Sequence, residues 1–210
     1  MRRQTMSQAS PGTVPLTLFA DYNCPFCYVA SHRLKELGRR HDLDILWRFL
    51  ELHPDIPAGG RALNHEETAT HRDDTLLGMI RNDGLPWQPR ALSVNTRRAL
   101  LLAQAVQLYR REAFLSLHLG LFHAVFGEGR NVGDPDVVRA VAQAHGVEDL
   151  VEVAWGTPKP VELFLSHVEA AQELEITSIP ALVVSGRVFP GAASMEILEQ
   201  ALRHAAERPG

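Results

Sequence analysis

Only two cysteines occur in the 210 residues, which excludes a disulfide-dense scaffold. No apolar run reaches the roughly 18 residues that a membrane-spanning helix needs. Neither sign of charge dominates: Lys and Arg total 21 against 25 Asp and Glu, a formal net charge of −4. The chain therefore lacks the basic footprint that nucleic-acid binding leaves. Internal repeats and low-complexity tracts are missing. There are ten histidines but no recognisable ligand pair. His118 and His123 fall about 140° apart around a helix, so they do not share a face. No H-E-x-x-H and no second C-x-x-C accompany them, and a zinc site needs about four ligands, so no metal is expected. Arg2 and Arg3 open the chain, but no apolar h-region follows. Residues 1–13 read as a flexible polar N-terminus, and the expected location is cytoplasmic.

What is present is an ordinary folded composition, with 45% hydrophobic and 22% charged residues, and a length suited to one or two domains. Val14 to Ala20 is a short apolar run and a buried-strand candidate. Cys27, Ala30, Leu34 and Leu37 then recur on one face of a helix. Asn23 is the expected N-cap and Pro25 suits the first turn, where a missing N–H costs nothing. Arg39 and Arg40 near the end suit the helix dipole. Leu43, Ile45, Trp47 and Phe49 alternate as a second strand, so strand, helix and strand make a parallel βαβ unit. His53 to Gly60 is a loop by composition.

The middle of the chain is helical. Helices are expected over Glu66 to Asn82, from a Ser93 cap to about Arg110, and over Glu112 to Phe126. Further helices are expected from an Asp134–Pro135 start to a Gly146 stop, and from Val161 with Phe164, Leu165, Val168 and Ala171 inward. Phe114, Phe122 and Phe126 read as core. Gly127, Glu128, Gly129 and Gly133 read as turn rather than a phosphate loop, because they follow a helix and not a strand. Strand Ala181 to Val184, a Ser185–Gly186 turn, and Arg187 to Phe189 form a hairpin closed by Pro190–Gly191. Ser194 caps a last helix with Ile197, Leu198, Ala201, Leu202 and Ala205 inward. The expected fold class is α/β, βαβ and ββα halves of one sheet with an all-α insertion between them. The corresponding division is 14–60 with 176–206, and 61–175 as the helical insertion.

Cys24-Pro25-Phe26-Cys27 starts a helix just after a strand, a placement suited to thiol–disulfide exchange. The helix N-terminus offers about half a positive charge and free N–H donors, which favour a thiolate. Cys24 is expected at an exposed first turn as the attacking sulfur, with Cys27 one turn deeper as the resolving thiol. Pro25 and Phe26 set the stiffness and local field of the turn. Ile179–Pro180 precedes a strand, a place where a constrained proline leaves backbone groups free to pair with bound peptide. Asp21, Tyr22 and Glu51 fall close to the cysteines in sequence or topology. A carboxylate there can assist proton transfer, although a solvated surface role is the expectation.

Taken together, the cysteine motif, the split βαβ/ββα frame and Thr177-Ser178-Ile179-Pro180 resemble a thioredoxin-like fold. The long helical insertion, and Leu121 to Gly129 within it, are similar to the DsbA family and to its FrnE-like branch, over about residues 14–206. The resemblance implies a nucleophilic Cys24, a resolving Cys27, a cis Pro180 facing them, and an Ile179 backbone that holds substrate alongside Pro25 and Phe26. It implies no cofactor beyond a redox-active disulfide, glutathione as a candidate co-substrate, and protein or small-molecule thiols and disulfides as partners. The dipeptide is Pro-Phe rather than the Pro-His of the strongly oxidising periplasmic type. Two alternatives stay open. One is a glutathione-dependent kappa-type transferase or 2-hydroxychromene-2-carboxylate isomerase-like enzyme, which shares the helical insertion. The other is a binding or chaperone module without turnover.

Overall fold

The computed structural model describes residues 14–63 and 71–206. A short, nearly continuous apolar run builds strand β1 (Val14–Ala20), which passes through Asp21 to Cys24 into helix α1 (Pro25–Gly38). Proline occupies the first turn of α1, where its missing N–H breaks no helical bond. Strand β2 (Leu43–Phe49) returns parallel to β1, in a register pairing Val14 with Leu43 and Ala20 with Phe49. At the far end of the chain, β5 (Ala181–Val184) runs antiparallel to β1, and β6 (Arg187–Pro190) pairs with β5. Ser185 and Gly186, both at positive φ (47° and 76°), make the turn whose twist matches the strands it joins. The sheet order is β2-β1-β5-β6, so the two chain halves meet in one sheet.

Between β2 and β5 lie a two-stranded ribbon, β3 (Arg61–Ala62) with β4 (Leu92–Ser93), and most of the helices. These are α2 (His71–Asn82), α3 (Arg97–Tyr109), α4 (Arg111–Phe122) with a π-helical turn to Gly127, α5 (Pro135–Ala144), α6 (Leu150–Gly156) and α7 (Pro158–Glu173). Helix α8 (Met195–Ala206) closes the described chain. The Asp134 carboxylate caps α5 by accepting from the Asp136 amide, and Ser194 Oγ accepts from the Ile197 amide at α8.

Several expectations shift. The N-cap of α1 is Cys24, not Asn23, because the Asn23 side chain is taken up by tertiary bonds. Ser93 caps no helix: it pairs in β4, and Thr96 is the N-cap of α3. Leu165 and Ile197 face outward, at 53% and 46% exposure, while His167 takes the inward position on α7. Helix α6 has no counterpart in the expected string. The start of the Glu66 helix and the N-terminal stretch 1–13 lie outside the described residues.

A continuous core spans the sheet and the helices between its halves. Rings from the sheet side meet rings from α4: Tyr22 and Phe122 lie 4.9 Å apart, and Trp47 and His118 lie 4.6 Å apart. Helix α1 is tied to the end of α2 and to the segment before α8 by Arg33, which is 8% exposed. Its guanidinium donates to the Asp83 carboxylate at 2.7 Å and to the carbonyls of Ala192 and Ala193. That arrangement uses the guanidinium fork on both an anion and neutral acceptors, so its partly buried charge is paired.

Candidate active site at the start of helix α1

Strand β1 is followed by a fully buried Asp21, and the chain turns there. The Cys24 amide donates to the Asp21 carbonyl at 3.1 Å, and the amides of Cys27 and Tyr28 reach back to the Cys24 carbonyl. This places Cys24 at the N-cap and Cys27 on the first turn of α1, inside the core. The expected exposed position of Cys24 is corrected: it is 6% exposed, and Cys27 is 0%. Pro25 and Phe26 between them are half-buried. The cover over Cys24 includes the opposite loop, whose Ile179 carbonyl accepts from the Cys24 thiol at 3.8 Å. Ile179 and Pro180 are buried, and the peptide bond between them is cis.

The two sulfurs are electrostatically unlike. A hydrogen bond from Cys27 holds the Cys24 thiol below its ordinary value, against the opposing effect of burial. The amides of Cys27 and Phe26 add to this, as a helix N-terminus does for any thiolate. Burial drives the Cys27 thiol well up, and its bond to Cys24 drives it further. The motif thus sets a thiol favoured as thiolate over one held protonated.

Asp21 lies against both thiols electrostatically. Burial raises its carboxyl, opposed by donors from the Leu52 amide, the Thr96 side chain and the Asn23 amide. Oδ2 accepts from Leu52 at 2.8 Å and Oδ1 from Asn23 at 3.1 Å. The solvated role expected for this carboxylate is therefore wrong for Asp21. Glu51 is also covered: its side chain is 4% exposed and ion-paired to Arg97, and burial raises its carboxyl. Tyr22 is sealed in the core, its hydroxyl 2.9 Å from His118 Nδ1.

Three further residues shape the site. His118 on α4 is fully buried and joins Tyr22 to Ser31, with Nε2 2.9 Å from Ser31 Oγ. It thereby braces the residues flanking the cysteine motif on either side. Asn23 donates to Ser93 Oγ at 2.8 Å and accepts from the Val94 amide at 3.1 Å, fastening the α2–α3 connection to the motif. Arg90, on that connection, donates to Asn23 Oδ1 at 2.9 Å. A polar residue on the inward face of an otherwise apolar helix was the available signal for His118. Arg90 lies in a loop with no periodicity, and nothing local marked it. Among the described residues no cluster of His, Cys, Asp and Glu is arranged to hold a metal ion.

The chain is similar to several known proteins. The protein YwbO of Bacillus subtilis is 24% identical over 194 residues, covering 90% of this chain and 96% of that one. The crystal structure of a probable DsbA oxidoreductase from Streptomyces coelicolor superimposes with a TM-score of 0.81 at 19% identity, over 94% of this chain and 92% of its own. A 2-hydroxychromene-2-carboxylate isomerase superimposes with a TM-score of 0.74 at 19% identity, over 90% and 95%. The fold is thus thioredoxin-like, with the helices carried between its two halves. Residues 15–203 match the model of the DSBA-like thioredoxin domain, and the chain belongs to that family.

Proposed function

We propose that the chain is a thiol–disulfide oxidoreductase of the FrnE-like branch, working in the cytoplasm on protein or small-molecule thiols and disulfides. The observation that carries the reading is the contrast within one motif. Cys24 is favoured as thiolate at the helix N-terminus, and Cys27 is held protonated beneath it, beside a buried carboxylate.

In the reducing direction, the Cys24 thiolate attacks one sulfur of a substrate disulfide. The Cys24–substrate bond forms as the substrate S–S bond breaks, and the first substrate thiolate leaves. Cys27 then gives up its proton to Asp21, and its sulfur attacks Cys24 Sγ. The mixed disulfide breaks, the second substrate thiolate leaves, and a Cys24–Cys27 bridge remains. Two electrons have passed from the pair to the substrate. With a dithiol substrate and the bridged pair, the same steps run backwards. The backbone at Ile179–Pro180, with Pro25 and Phe26 opposite, lines an extended substrate segment; the Ile179 carbonyl already accepts from Cys24. This chemistry uses no metal, nucleic acid or membrane surface, and no cofactor beyond the cysteine pair; glutathione serves as a co-substrate.

The likeness to a 2-hydroxychromene-2-carboxylate isomerase supports a second reading, a glutathione-dependent transferase or isomerase with one working thiol. A second, deeply buried cysteine is superfluous to that chemistry. Equilibration in glutathione redox buffers, with thiols trapped by a mass-adding reagent, separates the two. Cys24 and Cys27 are expected to switch together as a two-electron couple, and Cys24→Ser is expected to abolish exchange. A pair that never bridges, with a stable glutathione adduct at Cys24, overturns the dithiol mechanism in favour of the second reading.

A further inference from the structure

The connection between α2 and β4 is fastened at three points. The Tyr28 hydroxyl donates to the Pro86 carbonyl at 3.1 Å, the Gln88 amide to the Phe126 carbonyl at 2.7 Å, and the Leu63 amide to the Ala91 carbonyl at 3.0 Å. Arg90 is therefore presented from a fixed backbone. Its guanidinium lies 4.6 Å from the centre of the Phe126 ring, and that ring is stacked on Trp87 and on Tyr28. One of its nitrogens is bonded to the side chain of Asn23, the residue before Cys24. Asn23 is in turn held by Ser93 and Val94. Among the described residues Arg90 forms no salt bridge to a carboxylate.

We propose that Arg90 is the cationic partner of the Cys24 thiolate, supplied by the helical segment and aimed by Asn23 and the Phe126 face. The proposal rests on the dithiol reading of the site and deepens it. A partly desolvated cation is a costly thing to place beside a neutral thiol, and a thiolate repays that cost. Burial pulls the Arg90 guanidinium down to about 10, and the negative charges that oppose this are those of Cys24 and then Asp21. The strongest influences on Cys24 are the Cys27 thiol and amide and the Phe26 amide, which favour the thiolate, and burial and Asp21, which oppose it. Asp21 is itself under the influence of His53 and is close enough to act on Glu51. Arg90 works against the Asp21 charge, which on its own disfavours a thiolate at Cys24. It is a positioning and electrostatic residue: it donates no proton and forms no bond to substrate. A favoured thiolate also leaves more readily, so in the oxidising direction the same cation speeds release of Cys24 when the second substrate thiolate attacks the substrate sulfur of the mixed disulfide.

The test is the pH dependence of Cys24 alkylation by iodoacetamide, followed by mass in the reduced full-length protein. It is run for the parent, Arg90→Lys, Arg90→Met and Asn23→Ala. Arg90→Met is expected to cut the Cys24 thiolate fraction about tenfold at pH values below its midpoint, a rise of about one pK unit. Arg90→Lys is expected to recover part of it, since a cation remains without the planar fork. Asn23→Ala is expected to move the midpoint in the same direction by less. Thermal unfolding of each variant shows whether it folds. If Arg90→Met is misfolded, Arg90→Lys and Asn23→Ala decide. An unchanged midpoint in the folded variants, with only thermal stability altered, overturns the proposal and leaves Arg90 a loop fastener. The same variants in glutathione buffers separate this from the parent reading. A midpoint that moves with a pair that never bridges defeats the dithiol mechanism alone. A pair that bridges with a midpoint that stays defeats only the role of Arg90.

Discussion

Stability should fall between pH 7 and pH 5 through buried histidines, of which His118 and His167 are held furthest down and His32, lowered by burial to about 4, acts in the same direction. Burial holds His118 and His167 down to about 3, far below the 6.5 of an exposed imidazole. Both side chains are committed to neutral partners. His118 sits between Tyr22 and Ser31, and His167 Nδ1 accepts from the Phe49 amide at 3.0 Å while lying 3.0 Å from Gln104 Nε2. Below pH 6.5 the unfolded chain binds protons at these positions and the folded chain does not, so stability falls as pH falls, down to about pH 3. At pH 5 each histidine withholds about 2 kcal/mol relative to pH 7, so the pair is worth about 4 kcal/mol. Asp21 and Glu51 have the opposite sign, because their raised carboxyls bind protons more readily when folded. Their contribution cancels when parent and variant are compared at each pH. His118→Gln keeps one donor and one acceptor but cannot titrate. Urea unfolding of parent and variant at pH 7.5, 6.5, 5.5 and 5.0 should show the two stability curves converging by about 2 kcal/mol as pH falls. Parallel curves would refute the reasoning, and would mean that His118 is already protonated in the fold or is not sealed from solvent.

Two other outcomes follow from the geometry. Asp21→Asn should leave formation of the Cys24 mixed disulfide intact and slow its resolution by Cys27 about 10²-fold, seen as a longer-lived mixed disulfide by mass after acid quench. Gly133→Ala should destabilise the fold by about 1–3 kcal/mol in urea titrations, since a Cβ there would strike the Ala58 carbonyl and Asn131 Oδ1, and Asn131 is itself held by the Gly133 amide and the Ala58 carbonyl.

Much of the frame was legible because local and tertiary preferences agree in it. The β1 residues form a short apolar run, the α1 and β2 residues repeat at their own periods, Asp134–Pro135 carries its own cap, and Ser185–Gly186 suits its turn. Where tertiary contacts override local preference, the sequence misleads. Asn23 is a good cap by type, yet its side chain is spent on Ser93, Val94 and Arg90, leaving the N-cap position to Cys24. Ser93 looks like a cap and instead receives the Asn23 amide in a two-residue strand. Helix α6 is a single short element with no side-chain cap bond, too brief for a periodic pattern to declare itself. On α7 the polar His167 is inward and the apolar Leu165 outward, because the edge amide of Phe49 demands an acceptor there. At the site, the cysteines and Ile179–Pro180 were visible as a pattern. Asp21 was visible only as a neighbour, and its complete burial depends on the loop through Leu52 and on Thr96.

The shared core bears on how such a chain can change over evolutionary time. Tyr22, Trp47 and Phe49, next to or within the strands, are covered by Phe114, His118 and Phe122 from α4. A deletion that trimmed the helical stretch to a bare four-stranded frame would leave those three rings in water and strip the Tyr22 hydroxyl of its partner. The helical stretch is thus an obligate half of a single cooperative unit rather than an accessory hung on a self-sufficient scaffold. Drift should be freest in the loop His53 to Gly60, where most side chains are exposed. Any lineage that replaced the helices would have had to replace the ring-bearing face in the same step.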